Sequence, residues 1–265
     1  MAITGTADRA PSMPRRIEIR RITVADVKEA LKRGVDDFLA RPSHLIFLAA
    51  IYPVISFAFF IIISGREFWP ILWPLAAGFT LIGPIAAVGL MEISRERERG
   101  REVHWREALG VIGEGRLGPL VVLAVVLLAI FIGWLAAAQG LYVALFGQPY
   151  GVTLQEFLHN LFFTPQGHRL IIWGNLLGGL FALLALVVSL VSFPMVVDGE
   201  RDPVIAIITS VRAALRNPGP VLLWGAIVAA TVFLSAMTAF VLLGIALPIL
   251  GHATWHLYRR LVRRD

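Results

Sequence analysis

The chain has 265 residues, of which 57% are hydrophobic and only 16% are charged. A soluble domain carries about 25% charged residues, so this composition excludes an ordinary soluble protein. Apolar runs of about 20 residues, long enough to cross a ~30 Å hydrocarbon core as helices, recur along the sequence. The net charge of +6 is attributed to basic residues that orient the helices in the membrane, and no nucleic-acid partner is expected. The absence of cysteine excludes disulfides and thiolate chemistry.

The N-terminal region precedes the first apolar run. Residues 1–22 contain several prolines and arginines and few large apolar side chains, which predicts a disordered basic N-terminus. Residues 23–41 predict an amphipathic helix that begins at a capping box formed by Thr23 and Asp26. This helix lies either on the cytoplasmic membrane surface or against the ends of the membrane helices. Its predicted apolar stripe consists of Val27, Leu31, Val35, Phe38 and Leu39.

Residues 42–262 are expected to form the transmembrane domain. The uncharged stretch 218–251 is too long for one span, at ~50 Å, and is therefore divided into two. With both termini in the cytoplasm, every Lys and Arg except Arg66 and Arg169 lies inside, as the positive-inside rule requires. The sequence therefore predicts an all-α, polytopic membrane protein of six transmembrane helices in three hairpins. The spans are about 44–64, 70–93, 119–139, 169–196, 219–237 and 240–258.

The loop between the third and fourth spans contains a short amphipathic helix at 153–163. Thr153 and Glu156 form its capping box, and its large apolar residues fall on one face. The helix is expected to lie flat at the outer interface or to cover a cavity. In the fourth span, Gly174 and Gly178 have the GxxxG spacing that permits close helix contact.

The three hairpins share a pattern. Each returning helix carries a proline and then ends in polar groups, which predicts a structural pseudo-repeat with sites where the repeats meet. Pro84 precedes Glu92, Pro194 precedes Asp198, and Pro248 precedes His252 and His256.

Four residues at these helix ends are candidates for a functional cluster: Glu92, Asp198, His252 and His256. Glu92 can pair with Arg95 at i+3, or it can bind a proton or an ion as part of a transport role. His252 and His256 have the i, i+4 spacing of a metal pair, and a haem would need a further ligand, such as His44 or His104. Alternatively, they belong to a polar helix end that is anchored at headgroup level by aromatic and basic residues.

The sequence carries no catalytic signature. There is no P-loop, HExxH or GxSxG motif, and no charged residue lies in the middle of a predicted span. The second observation argues against a proton-coupled carrier or pump. A channel for a small neutral solute would need a polar cavity lined by Thr80, Asn175 and Ser192.

Three segments together resemble one family. They are GFTLIGPIAAVGLMEISRERERG, VSFPMVVDGERDPVIAIITSVRAALRNPGPVLLWG and LPILGHATWHLYRRLV. They are similar to prokaryotic integral membrane proteins of unknown function, some of which are labelled as a subunit of cytochrome c oxidase. The resemblance implies a six-helix protein of the bacterial inner membrane, and it implies no activity and no binding residues.

These observations lead to one expected function and two alternatives. The absence of a catalytic set predicts a non-enzymatic accessory or assembly partner of a larger, respiratory or other, membrane complex. Its partners would be the lipid bilayer and other membrane subunits, with no cofactor. The alternatives are a small-solute channel or carrier, and a membrane protein that binds haem or a metal through His252 and His256.

Overall fold

Helices form nearly all of the regular structure in a computed structural model of the chain, which describes residues 17–40, 69–79, 83–101, 115–147, 153–237 and 242–264. Two short strands, β1 (Ile17–Ile19) and β2 (Val262–Arg264), complete the described elements. The helices are α1 (Val24–Ala40), α2 (Trp69–Phe79), α3 (Gly83–Ala86), α4 (Val88–Glu98), α5 (Leu117–Phe146), α6 (Leu154–Phe163), α7 (Pro165–Val197), α8 (Pro203–Arg216), α9 (Pro218–Met237) and α10 (Leu243–Leu261).

Three of the described helices are long and apolar enough to cross a membrane. They are α5, α7 and residues Pro218–Ser235 of α9, and they match the predicted third, fourth and fifth spans. The predicted first span, 44–64, lies outside the described residues. Six spans are therefore not established, because the described parts of the second and sixth predicted spans contain no helix that is both long and apolar enough to cross a membrane.

Of the predicted second span, 70–93, residues 70–79 and 83–93 are described. These described residues lie in α2, α3 and α4, with a turn at Ala87 between the last two. Pro84 lies in α3, where it lacks an N–H group and disfavours a continuous helix. The sixth span corresponds to α10, whose last turns carry Arg259 and Arg260, so this helix is less apolar than the other three.

Residues 17–22 are ordered, although the sequence predicts disorder throughout 1–22. β1 pairs with β2 in antiparallel register, with Ile17 opposite Arg264. The Ile22 amide N–H donates to the Asn217 side chain at 2.8 Å. This pairing brings the two ends of the described chain to one end of the helix bundle, which we call the strand end. Residues 1–16 lie outside the described residues.

Helix α1 packs against α10 rather than standing apart from the bundle. The predicted helix is confirmed, and Val27 of the predicted stripe is fully buried. The other buried residues are the small Ala30 and Gly34, whereas Leu39 of the stripe is exposed. A Cβ atom on Gly34 would lie only 2.7 Å from the Ala253 Cβ and the Ile249 carbonyl oxygen. Small residues face α10 because the two helices approach too closely for larger ones.

Helix α7 is the central element of the strand end. Its first half exposes large apolar side chains, such as Ile172 and Leu176, whereas residues 189–197 are buried on every side. A helix that is apolar all round is expected to be enclosed by other elements. The Ser210 hydroxyl of α8 inserts into its backbone ladder, because it donates to the Val187 carbonyl and accepts from the Val191 N–H.

Helix α5 runs antiparallel to α7 through small-residue contacts. A Cβ on Gly178 would lie 3.1 Å from the Trp134 ring, and one on Gly133 would lie 3.3 Å from Phe181. The predicted GxxxG contact is therefore confirmed at Gly178. The predicted helix at 153–163 is also confirmed as α6, with both capping-box hydrogen bonds present and its face containing Leu158 exposed.

The three prolines of the shared pattern all lie inside helices. Pro84 lies in the short helix α3, Pro194 in α7 and Pro248 in α10. The pseudo-repeat of the three hairpins stays a prediction.

Replacing Gly34 with alanine should destabilise the protein. The added methyl group would press against α10, and overpacking of this kind costs roughly 1–3 kcal/mol. Gly140→Ala is the matched control, because a Cβ at this helical position meets nothing within 4 Å. Thermal unfolding in detergent should show a lower midpoint for Gly34→Ala only. Equal midpoints for the two variants would contradict the close α1–α10 contact.

Candidate functional site at the strand end

Polar side chains concentrate where α4, α7 and α10 end and α5 begins. The structure places Glu92, Asp198, His252 and His256 all in this region, close to α1 and the strand pair. They do not form one cluster, however. They belong to three polar groups, which we name after their central carboxylates as the Glu92, Asp37 and Asp198 groups.

The Glu92 group is a buried ion triad. Arg95 Nη1 lies 2.8 Å from Glu92 Oε1, and Arg116 Nη1 lies 2.9 Å from Glu92 Oε2. Arg116 Nη1 also donates to the carbonyl oxygen of Val197 at 2.7 Å. Glu92 is 3% exposed and Arg116 is 1% exposed, so water contributes little to their solvation. The predicted i, i+3 pair of Glu92 with Arg95 is confirmed, and Arg116 is an additional partner.

This triad joins three helices at the end of α7. The last carbonyl groups of a helix have no partner within it and carry partial negative charge. Arg116, immediately before α5, supplies both a donor and a positive charge to the carbonyl group of Val197. Glu92 of α4 then balances the buried guanidinium. The arrangement therefore holds α4, α5 and α7 together through one set of charges.

The Asp37 group connects α1, α4 and α10. Asp37 Oδ2 accepts from the Ser94 hydroxyl at 2.5 Å and lies 2.8 Å from His256 Nε2. Ser94 Oγ also lies 2.7 Å from His252 Nδ1. The other oxygen of Asp37 accepts from Arg97 Nη1 at 2.5 Å. His252 and His256 thus face the same carboxylate and hydroxyl, as their i, i+4 spacing predicts.

The order of these hydrogen bonds differs from that of a catalytic triad. In such a triad the imidazole lies between the hydroxyl and the carboxylate. Here the hydroxyl of Ser94 lies between His252 and Asp37. Ser94 and His252 are each 1% exposed, so a substrate has no access to the hydroxyl. The arrangement is suited to joining helices rather than to nucleophilic attack.

A metal site at the two histidines receives no further support. Among the described residues, no group of three or more His, Asp and Glu side chains is arranged to hold a metal ion. The two residues considered as additional haem ligands, His44 and His104, lie outside the described residues.

The Asp198 group lies at the junction of α7, α10 and β2. Tyr258 donates its hydroxyl hydrogen to Asp198 Oδ2 at 2.8 Å, and Arg264 Nη2 lies 2.9 Å from Glu200. Trp255 donates to Glu98 at 3.0 Å. The sequence suggested that aromatic residues of this helix end contact lipid headgroups. Trp255 and Tyr258 are instead almost fully buried.

Two of the three residues proposed to line a solute channel, Asn175 and Ser192, lie on α7. Asn175 is exposed and donates to the Ile171 carbonyl of its own helix, whereas the fully buried Ser192 donates to that of Val188. The two residues lie about 25 Å apart along α7 at 1.5 Å per residue. Thr80 lies outside the described residues.

Sequence reasoning missed Asp37 and Arg116 as members of these groups. The spacing of Asp37 was a signal that could have identified it. Val27, Ala30 and Gly34 are buried at i, i+3 and i+7, and Asp37 follows Gly34 by three residues, so it lies on the same face of α1. Arg116 carried no local signal, since its partner Glu92 lies 24 residues away.

Comparison with known proteins found one family model, which matches part of the chain. Residues 72–198 match the model of a family described as a predicted integral membrane protein (DUF2189). This match confirms the resemblance to a family of integral membrane proteins, and its description mentions no cytochrome c oxidase. The matched segment includes the whole Glu92 group but neither His252 nor His256. No curated protein and no solved structure matches the chain.

Glu92→Gln should strongly destabilise the protein, because it removes the buried negative charge that Arg95 and Arg116 share. Breaking a buried pair in this way costs about 3–5 kcal/mol. Glu29→Gln is the control, since Glu29 pairs with Arg33 at 3.1 Å on the exposed side of α1. Equilibrium unfolding in detergent should separate the two variants. Similar stabilities would contradict a structural role of the buried triad.

Asp37 should make the stability of the protein sensitive to acid. Burial raises the pKa of the Asp37 carboxyl, but hydrogen bonds from His256 and Ser94 outweigh burial and lower the pKa below its usual value. A carboxyl with a depressed folded-state pKa contributes stability above its unfolded pKa of about 3.9. That contribution is lost as the pH falls through the folded pKa.

The corresponding experiment measures unfolding midpoints between about pH 5 and pH 3. Asp37→Asn should be less stable than the wild type at pH 5, and the difference should shrink toward pH 3. Asp36→Asn, at the exposed neighbouring position, should follow the wild type throughout. A constant difference between Asp37→Asn and the wild type would contradict the assigned role of Asp37.

Proposed function

We propose that the chain is a non-enzymatic protein of the bacterial inner membrane, which acts as an accessory or assembly partner of a larger membrane complex. The chain is an integral membrane protein by its family match and its apolar helices. The proposal adds six crossings, both termini in the cytoplasm and a protein partner.

The strand pair supports this topology. β1 and β2 join the two ends of the described chain, and ends that pair directly lie on one side of the membrane. An even number of crossings follows. Assigning the strand end to the cytoplasm places nearly all Lys and Arg residues inside, in agreement with the positive-inside rule.

One observation carries the non-enzymatic proposal: the reactive side chains at the strand end are engaged in hydrogen bonds between helices. Glu92, Asp37 and Asp198 each hydrogen-bond to groups on other helices. Catalytic acids, bases and nucleophiles need access to a substrate. Here Glu92, Ser94 and His252 are each at least 97% buried. These groups therefore act as connections between helices.

A docking role is supported by the outer face of α1. This helix buries its small residues against α10 and exposes Lys28, Lys32, Arg33 and Asp36 in the opposite direction. The face lies at the strand end, on the proposed cytoplasmic side. Exposed charges of this kind steer association and select partners.

Native membranes solubilised in mild detergent provide the test. The 29.1 kDa chain should migrate within a larger complex that contains other membrane proteins at fixed stoichiometry. Subunits of respiratory complexes are the first partners to seek, because of the label carried by some related proteins. The variant Lys28→Glu/Lys32→Glu should lower recovery of the partner without changing the thermal midpoint of the isolated chain. A chain that remains alone, or that assembles only with itself, would contradict the proposal.

A further inference from the structure

Helix α8 exposes large apolar side chains and buries small ones, which is the reverse of a usual amphipathic helix. The sequence places residues 198–219 in the cytoplasm, where an amphipathic helix would normally turn its large apolar residues inward. In the structure, α8 turns its small and hydroxyl residues toward the bundle and four of its large apolar residues outward, whereas Ile207 packs against the core. The inward set is Ala206, Thr209, Ser210, Ala213 and Ala214. The outward set is Val204, Ile205, Ile208 and Leu215, which are 41–74% exposed.

The depth of α8 along the bundle is defined by Ser210. Its hydroxyl bonds to the backbone of α7 at Val187 and Val191, roughly 9–15 Å before the end of α7 at Val197, at 1.5 Å per residue. The middle of α8 therefore lies beside the body of α7, and not beyond its end.

Helix α5 shows what surrounds the protein at this depth. Because Gly133 of α5 packs on Phe181 of α7, and the two helices are antiparallel, residues 187–191 of α7 are level with about 123–127 of α5. Val125, within that range, is 58% exposed. α5 has the length and apolarity of a membrane span. The exposed face of α8 thus continues a surface that α5 presents to lipid.

The charges on α8 fit the same surroundings. The helix contains no acidic residue, and Arg212 and Arg216 are exposed near its C-terminal end. Long arginine side chains can keep their stems in apolar surroundings while the guanidinium reaches the headgroup phosphates. Interfacial helices in general combine basic residues with an apolar face in this way.

We propose that α8 is embedded in the membrane interface, with Val204, Ile205, Ile208 and Leu215 in contact with acyl chains and Arg212 and Arg216 in contact with lipid phosphates. The occupant of this face is the bilayer rather than a protein, because the face is continuous with the lipid-exposed surface of α5. This proposal does not depend on the accessory role proposed above.

Spin labels placed on single cysteines provide a direct test, since the chain contains no native cysteine. The variants Ile208→Cys and Leu215→Cys probe the outer face of α8. Leu128→Cys on α5 is the lipid-exposed control, and Lys28→Cys on α1 is the water-exposed control. The full-length protein, purified and reconstituted into phospholipid vesicles, is used throughout. Collision rates are measured with oxygen, which concentrates in lipid, and with a water-soluble nickel chelate.

The proposal predicts that the ratio of oxygen to nickel accessibility at Ile208→Cys and Leu215→Cys matches that at Leu128→Cys within about twofold, and exceeds that at Lys28→Cys at least about fivefold. A ratio close to that of Lys28→Cys would place α8 in water and overturn the proposal. Low accessibility to both reagents would also overturn it, because the face would then be covered by protein, such as a second copy of the chain. The thermal midpoint of each variant shows whether it has folded.

Discussion

The structure of the strand end depends on the unsatisfied carbonyl end of a buried helix. α7 is enclosed from residue 189 to 197, so its terminal carbonyl groups must find partners within the protein. Arg116 provides a donor, and Glu92 provides the negative charge that makes a buried guanidinium tolerable. Because these residues belong to different helices, the contacts that satisfy the end of α7 also position α4 and α5 against it. The helices that pack on α4 and α7, including α10, are placed in turn.

Sequence patterns were sufficient to predict the elements that depend on local chemistry. The capping box of Thr153 and Glu156 and the apolar length of α5, α7 and α9 depend only on residues close together in the chain. The i, i+4 spacing likewise predicted that His252 and His256 share a face. These features were predictable because hydrogen bonding and membrane thickness constrain them directly.

The features that sequence reasoning missed depend on contacts between distant residues. The pairing of β1 with β2 joins strands more than 200 residues apart, and short basic segments give no sign of it. The direction in which α8 faces was also missed, because hydrophobic periodicity identifies an apolar face but not what covers it. In α1, Gly34 lies in the close contact with α10, so small residues as well as Val27 mark the buried side.

The central claim is that the buried charges at the end of α7 act as a unit that holds the helices together. A double-mutant cycle with Glu92→Gln, Arg116→Gln and the double variant, measured by equilibrium unfolding in detergent, tests it directly. Residues in one buried ion network should show a coupling free energy of about 1–3 kcal/mol, so the double variant should be more stable than the sum of the single effects predicts. Additivity within about 0.5 kcal/mol would contradict the claim.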